Sequence, residues 1–341
     1  SASRKVNPPW PFKRRLHGGE RENAYCVAFS PDSELLASGS SDGIIRIWDR
    51  TDGQCTHLEG HTRTVNDLYF SPDGKLLASA SADTTIRLWK LDDLSFRVLE
   101  GHEYGVLTVA FSRDGSTLVS GDCVGEICLW DVNDSRCINN FVHQSIFGIF
   151  SVAFAPDGHT IALAGVLEDE DGEEQGSLFF LDISDADDSS SITVVETHAG
   201  LVHSLEYSPD GRYFASGAEN GTVQLWNAVD NSCAIVLTGN IGDPVYSVAF
   251  SQNGKIMATA SADGNVRLCS VEDVDDSCSV TLLGHHECDA LSVAFSPDGQ
   301  TLASGGRDGT VRLWNPHEED QTQFKQVDWD IIFSLWNFGK E

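Results

Sequence analysis

The 341-residue sequence predicts an all-β fold, seven four-stranded antiparallel blades closed into a propeller. Three observations predict it. One pattern occurs seven times, anchored on an aromatic residue ahead of a turn, at Phe29, Phe70, Phe111, Phe154, Tyr207, Phe250 and Phe295. Successive anchors lie 41, 41, 43, 53, 43 and 45 residues apart, the period of a propeller blade. Each unit also divides into four short segments of strand composition bounded by turn residues.

The second unit shows the elements in order. A first segment runs from Val65 to the turn at Pro72-Asp73-Gly74, a second from Lys75 to Thr84, a third from Thr85 to Lys90, and a fourth from Phe96 to Leu99. Pro presets φ, Asp caps the local backbone and Gly accepts positive φ, so the tripeptide forms a turn by mechanism. It recurs at Pro156-Asp157-Gly158, Pro209-Asp210-Gly211 and Pro297-Asp298-Gly299. One such sheet cannot bury both faces alone. Stacked neighbours and ring closure solve that problem together.

Gly60-His61 before the first strand, Ser79-Ala80-Ser81-Ala82-Asp83 around the second turn and Leu88-Trp89 in the third strand resemble the WD-repeat signature, over roughly residues 12 to 316. The resemblance implies a buried hydrogen-bonded network in each intact repeat, carried here by His61, Ser79, Asp83 and Trp89, and again by His285, Ser304, Asp308 and Trp314. Other repeats depart from the pattern. Val124 stands where the third needs Asp, Asn220 replaces the fifth's Asp, and Leu181 and Cys269 replace the Trp of the fourth and sixth. The fourth blade is therefore expected to be the weakest. The resemblance also implies that an N-terminal segment supplies the outer strand of the last blade, which places residues 12–17 there. Residues 1–11 then form an extension and residues 317–341 an apolar tail, with Trp329, Ile332, Phe333 and Trp336, expected to dock on the propeller.

Charge narrows the partners. Lys and Arg total 22 against 52 Asp and Glu, a net −30, and the first nineteen residues hold five basic residues and no acid. The remainder carries 17 basic against 52 acidic residues, or −35. Such a body repels nucleic-acid phosphates and anionic lipid and attracts cationic protein segments. Neither direct nucleic-acid binding nor a membrane span is expected, since the longest stretch without Lys, Arg, Asp or Glu, Cys137 to Pro156, is rich in Asn, His and Ser. Nine cysteines without CxxC pairs read as reduced residues of an intracellular protein, cytoplasmic or nuclear.

Ser, His and Asp within one repeat make up the inventory of a hydrolase triad. Their recurrence with the repeat assigns them instead to satisfying the indole N–H and loop amides. HExxH and GxxxxGK[ST] motifs are missing, and no metal-ligand set or cofactor is expected. Candidate partner-binding residues lie on the face of the Gly-His loops: Arg63, Tyr104, Phe147, Glu219 and Arg307 on the rim, and the insert Glu168, Asp169, Glu170, Asp171, Glu173 and Glu174 in the fourth repeat. The sequence thus predicts a non-catalytic scaffold, a monomeric propeller within a larger complex, that binds a protein or peptide with Lys/Arg-rich character. An enzyme with its site at the channel mouth is the competing reading.

Overall fold

In the computed structural model the described residues are 15–17, 22–168, 174–184, 192–196, 200–237, 242–271 and 280–317. They form seven four-stranded antiparallel sheets, six of which run from an inner strand outward in chain order, while the seventh takes its outer strand from the start of the chain. The inner strands of blades 1 to 7 are Ala24–Phe29, Val65–Phe70, Val106–Phe111, Ile146–Phe154, Val202–Tyr207, Val245–Phe250 and Ala290–Phe295. Each packs against the inner strands of both neighbours, blade 1 against blade 7 included, so the sheets make a closed ring.

The turns form as their chemistry dictates. After the inner strand of blade 2, Gly74 takes φ 69° and donates its amide to the Ser71 carbonyl at 2.9 Å. Asp73 Oδ1 accepts from the Ser71 hydroxyl at 2.7 Å and from the Lys75 amide at 3.1 Å. Blade 1 places Ser33 at the same position with φ 63°, the left-handed region that costs a side-chain-bearing residue energy.

The core lies between blades, not within them. Ala78, Ile86 and Leu88 of blade 2 pack on Val106, Phe111 and Trp130 of blade 3, and equivalent clusters fill the other junctions. Leu181 and Cys269, at the Trp positions of blades 4 and 6, are buried in these clusters.

In blade 7 the strand Thr310–Trp314 pairs with Arg15–His17, in the register Arg15↔Arg312, Leu16↔Val311 and His17↔Thr310. Residues 12–14 of the proposed closing strand, the extension 1–11 and the tail 318–341 lie outside the described residues. Blade 4 departs most from the repeat. Its three inner strands have nine residues each, against five or six in the corresponding strands of blade 2.

Candidate protein-interaction face

The repeat's polar residues are joined in blade 2. His61 Nε2 lies 2.7 Å from Ser79 Oγ, which accepts the Trp89 indole N–H at 2.9 Å. His61 Nδ1 lies 2.8 Å from Asp83 Oδ2, and Asp83 also accepts the Thr62 amide at 3.0 Å and the Thr85 hydroxyl at 2.7 Å. Burial pushes the Asp83 carboxyl up, but bonds from Thr85, Thr62 and His61 outweigh it and hold the group at about 2. Burial pulls His61 below its ordinary value, only partly opposed by Asp83. The network clamps the loop entering the blade to its second turn.

In blade 7 the histidine of this network is His286, not His285. His286 Nε2 lies 2.7 Å from Ser304 Oγ, Nδ1 lies 3.0 Å from Asp308 Oδ1, and Trp314 donates to Ser304 at 2.8 Å. His285 ends the exposed outer strand of blade 6, paired with Asn265 across the sheet. The clamp histidine keeps its offset from the residue that faces the Trp position, Val280 opposite Cys269, as His61 does from Cys55 and His102 from Phe96, and it is Gly284 that comes one residue early. The spacing held the signal: His61 and His102 both precede their serines by 18 residues, as does His286 and not His285. Blade 3 solves its missing Asp differently. Val124 stands at the usual position, and the fully buried Asp122, two residues earlier, places Oδ2 3.3 Å from His102 Nδ1.

Seven equivalent backbone bonds tie the second turns to the entering loops, among them Ala82 N to Thr64 O at 2.9 Å, Glu219 N to Leu201 O at 2.8 Å and Arg307 N to Asp289 O at 2.8 Å. One face of the ring therefore carries all these loops. On it Tyr104 is 51% and Phe147 42% exposed, and Arg63, Glu219 and Arg307 are exposed too. Arg307 is already engaged, 2.9 Å from Asp289. The acidic insert does not lie wholly outside the strands, as its composition predicts. Strands Thr160–Glu168 and Glu174–Asp182 pair up to Glu168↔Glu174, and the Glu168 amide donates to Ser145 O at 2.9 Å. Alternating, hydrogen-bonded backbone overrides the low strand propensity of a charged run. Asp169, Glu170, Asp171 and Glu173 lie outside the described residues.

Two sets of residues escaped the sequence reading. Every inner strand has a bulge near its start, four residues before the anchor, where Phe150, His203 and Tyr246 fall. Phe150 and His203 rings lie 5.6 Å apart, His203 and Tyr246 5.4 Å, a row across blades 4 to 6. Three residues before the anchor stands a girdle of inter-blade bonds. Ser292 Oγ accepts the Val27 amide at 3.1 Å, Thr108 the Val152 amide at 3.2 Å, Ser151 the Leu205 amide at 3.1 Å, Ser204 the Val248 amide at 3.1 Å and Ser247 the Val293 amide at 3.2 Å. Asp67 does the same for Val109 at 2.9 Å, and burial raises its carboxyl to about 6 against the bonds from Val109, Leu68 and Thr108. The recurring Ser at one offset from the anchor was the visible signal.

Half-buried Glu206, on the inner strand of blade 5, is raised to about 8 by desolvation, opposed by a bond from the Phe250 amide. Because the native state holds this proton more tightly than the unfolded chain, stability is lost as pH rises from the ordinary carboxylate value toward 8. Glu206→Gln is expected to flatten that loss, gaining about 1–2 kcal/mol on the parent at pH 9 relative to pH 5 after discounting for partial exposure. Urea midpoints of both proteins at the two pH values check this, and parallel curves would refute it.

A closed ring of seven four-stranded blades, with a buried His–Ser–Trp network in blades 2, 3 and 7, defines a WD-type propeller. Six segments, 11–49, 53–90, 94–131, 189–227, 231–270 and 276–315, match the WD40 family model, "WD domain, G-beta repeat", and cover more than half of the chain. The protein belongs to the WD-repeat family. The segment without a match contains the inner three strands of blade 4, where Leu181 replaces Trp. Its relatives include human "WD repeat-containing protein 86", 37% identical over 51 residues, 15% of this chain and 14% of that protein. "Protein HIR1" of Chaetomium globosum is 29% identical over 105 residues, 30% of this chain and 9% of that protein. "Nuclear distribution protein nudF 2" of Aspergillus clavatus is 46% identical over 54 residues, 16% of this chain and 12% of that protein. The matched segments thus span only about a tenth of these relatives' lengths.

Proposed function

We propose that this propeller is a non-catalytic scaffold that captures a basic, partly apolar protein segment on the face carrying Arg63, Tyr104, Phe147, Glu219 and Arg307. WD-repeat proteins are in general protein-interaction scaffolds. The observation that carries the proposal is that two exposed aromatic side chains, Tyr104 and Phe147, share a face with the end of the strand pair Thr160–Glu168 and Glu174–Asp182, whose connecting sequence is acidic. Exposed aromatics on a rigid framework act as anchors, and a cluster of carboxylates speeds the approach of a cation. The competing reading, an enzyme, would draw on the raised carboxyls of Asp67 and Glu206. Both accept amides of the neighbouring blade, which supports a structural role for them.

A synthetic Lys/Arg-rich peptide bearing one Phe serves as probe. Replacing Asp169, Glu170, Asp171 and Glu173 with Ser or Gln, and Glu168 and Glu174 with Thr to keep the strands paired, is expected to slow its association and flatten its salt dependence. Tyr104→Ala with Phe147→Ala is expected to speed dissociation instead. Stopped-flow rates across a salt series read both effects. Rates that match the parent in every variant would place the docking surface elsewhere.

A further inference from the structure

At one position of the third strand four blades carry an arginine: Arg46, Arg87, Arg267 and Arg312. In blades 1, 6 and 7 its guanidinium pairs with the aspartate of the second turn, Arg46 with Asp42 at 2.7 Å, Arg312 with Asp308 at 2.9 Å, and Arg267 with Asp263. Blade 3 has Cys128 there, fully buried. Two residues before it, where blades 2 and 7 have Thr85 and Thr310 facing the histidine at 3.4 and 3.2 Å, blade 3 has Glu126, whose Oε2 lies 3.5 Å from His102 Nδ1. The same blade has thus exchanged a cation for a thiol and a hydroxyl for a second carboxylate, around a buried imidazole.

We propose that blade 3 holds a divalent cation of the zinc type, bound by His102 Nδ1, the Glu126 carboxylate and the Cys128 thiolate, in the place that an arginine takes elsewhere in the ring. The three donor atoms lie within 4.8 Å of one another. Tetrahedral zinc with bonds of about 2.0–2.3 Å sets donors roughly 3.5 Å apart, so side-chain rotation of about an ångström completes the site. A mixed nitrogen, oxygen and sulfur set suits zinc and cobalt and not magnesium or calcium. Supporting groups are in place. Ser120 Oγ lies 2.7 Å from His102 Nε2 and fixes the ring, leaving Nδ1 toward the cluster. Asn140 Nδ2 donates to Glu126 Oε1 at 3.1 Å and leaves Oε2 for the metal. Asp122 Oδ2, 3.3 Å from His102 Nδ1, adds negative charge beside the donors. Binding displaces the thiol proton of Cys128 to solvent, and half-buried Glu126 marks the route of entry.

The test is titration of the reduced, metal-free full chain with Co2+. One equivalent is expected to bind with a near-ultraviolet sulfur-to-cobalt charge-transfer band, and one equivalent of Zn2+ to erase it. Cys128→Ser is expected to abolish the band, and Glu126→Gln to weaken binding by roughly tenfold to a hundredfold. Cys55→Ser and Cys288→Ser, at exposed thiols, are expected to leave it intact. Cys128→Arg supplies the guanidinium of the other blades and is expected to fold with unchanged circular dichroism while losing cobalt binding and any zinc-dependent rise in thermal midpoint. Absence of the band in the parent, its persistence in Cys128→Ser, or equal binding by folded Cys128→Arg would each overturn the proposal. Weak Co2+ binding without the band would mean that surface carboxylates alone hold it, which also overturns it.

Discussion

Removing residues 1–18 is expected to lower the thermal midpoint by roughly 3–6 °C, the shift that a loss of about 2–4 kcal/mol produces in a domain of this size. Strand Arg15–His17 covers the outer edge of Thr310–Trp314 and links blade 7 covalently to blade 1 through the residues that follow it. Without it the inner strand Ala290–Phe295 still packs against Ala24–Phe29, so the ring keeps one closure and loses the other. The bared edge of Thr310–Trp314 also presents unpaired amides and carbonyls to other chains. Calorimetry of the two proteins checks the shift, and light scattering checks for association. Equal midpoints would show that the three-residue pairing contributes nothing to closure.

Asp83→Ala is expected to cost about 1–3 kcal/mol, because it strands the Thr62 amide, the Thr85 hydroxyl and His61 Nδ1 together. The effect carries a pH signature. Asp83 is held at about 2, below its ordinary 3.8, so its contribution is complete above 3.8 and disappears as pH falls toward 2. His61, lowered by burial, acts in the same direction: the unfolded chain takes up its proton first as pH drops below 6.5, and stability falls. Urea midpoints should therefore fall less in Asp83→Ala than in the parent from about pH 4 to pH 2.5, where Asp83 titrates, and at least as much from about pH 7 to pH 5, where His61 has lost the carboxylate that raised it. A variant as stable as the parent at pH 7, or one with the same acid slope, would show that the network does not bear on stability.

Much of this molecule is local chemistry and hence readable. A Pro-Asp-Gly turn closes on itself through Asp73 and Ser71, whatever the rest of the chain does. The anchors repeat because each blade must present the same apolar face to its neighbour, and that periodic demand predicts the ring. Even the choice of His286 over His285 was countable from the 18-residue spacing to Ser304. The fourth blade shows the limit of composition. Glu168 and Glu174 read as loop, yet the ladder from Ile161↔Leu181 outward carries them into register.

The chain by itself determined the seven-bladed ring, the family and the clamp of blade 2, because each follows from turn chemistry and period within one repeat, whereas His286 and Asp122 came from the structure. Only the tertiary structure decided what crosses from strand to strand and blade to blade. Ser151 meets Leu205 at a separation of 54 residues, the Phe150, His203 and Tyr246 rings align across three sheets, and Glu126 and Cys128 converge on His102. The physical reason is the ring itself: burial of one blade's face on the next sets which side chains meet, and no period within the chain specifies those distances.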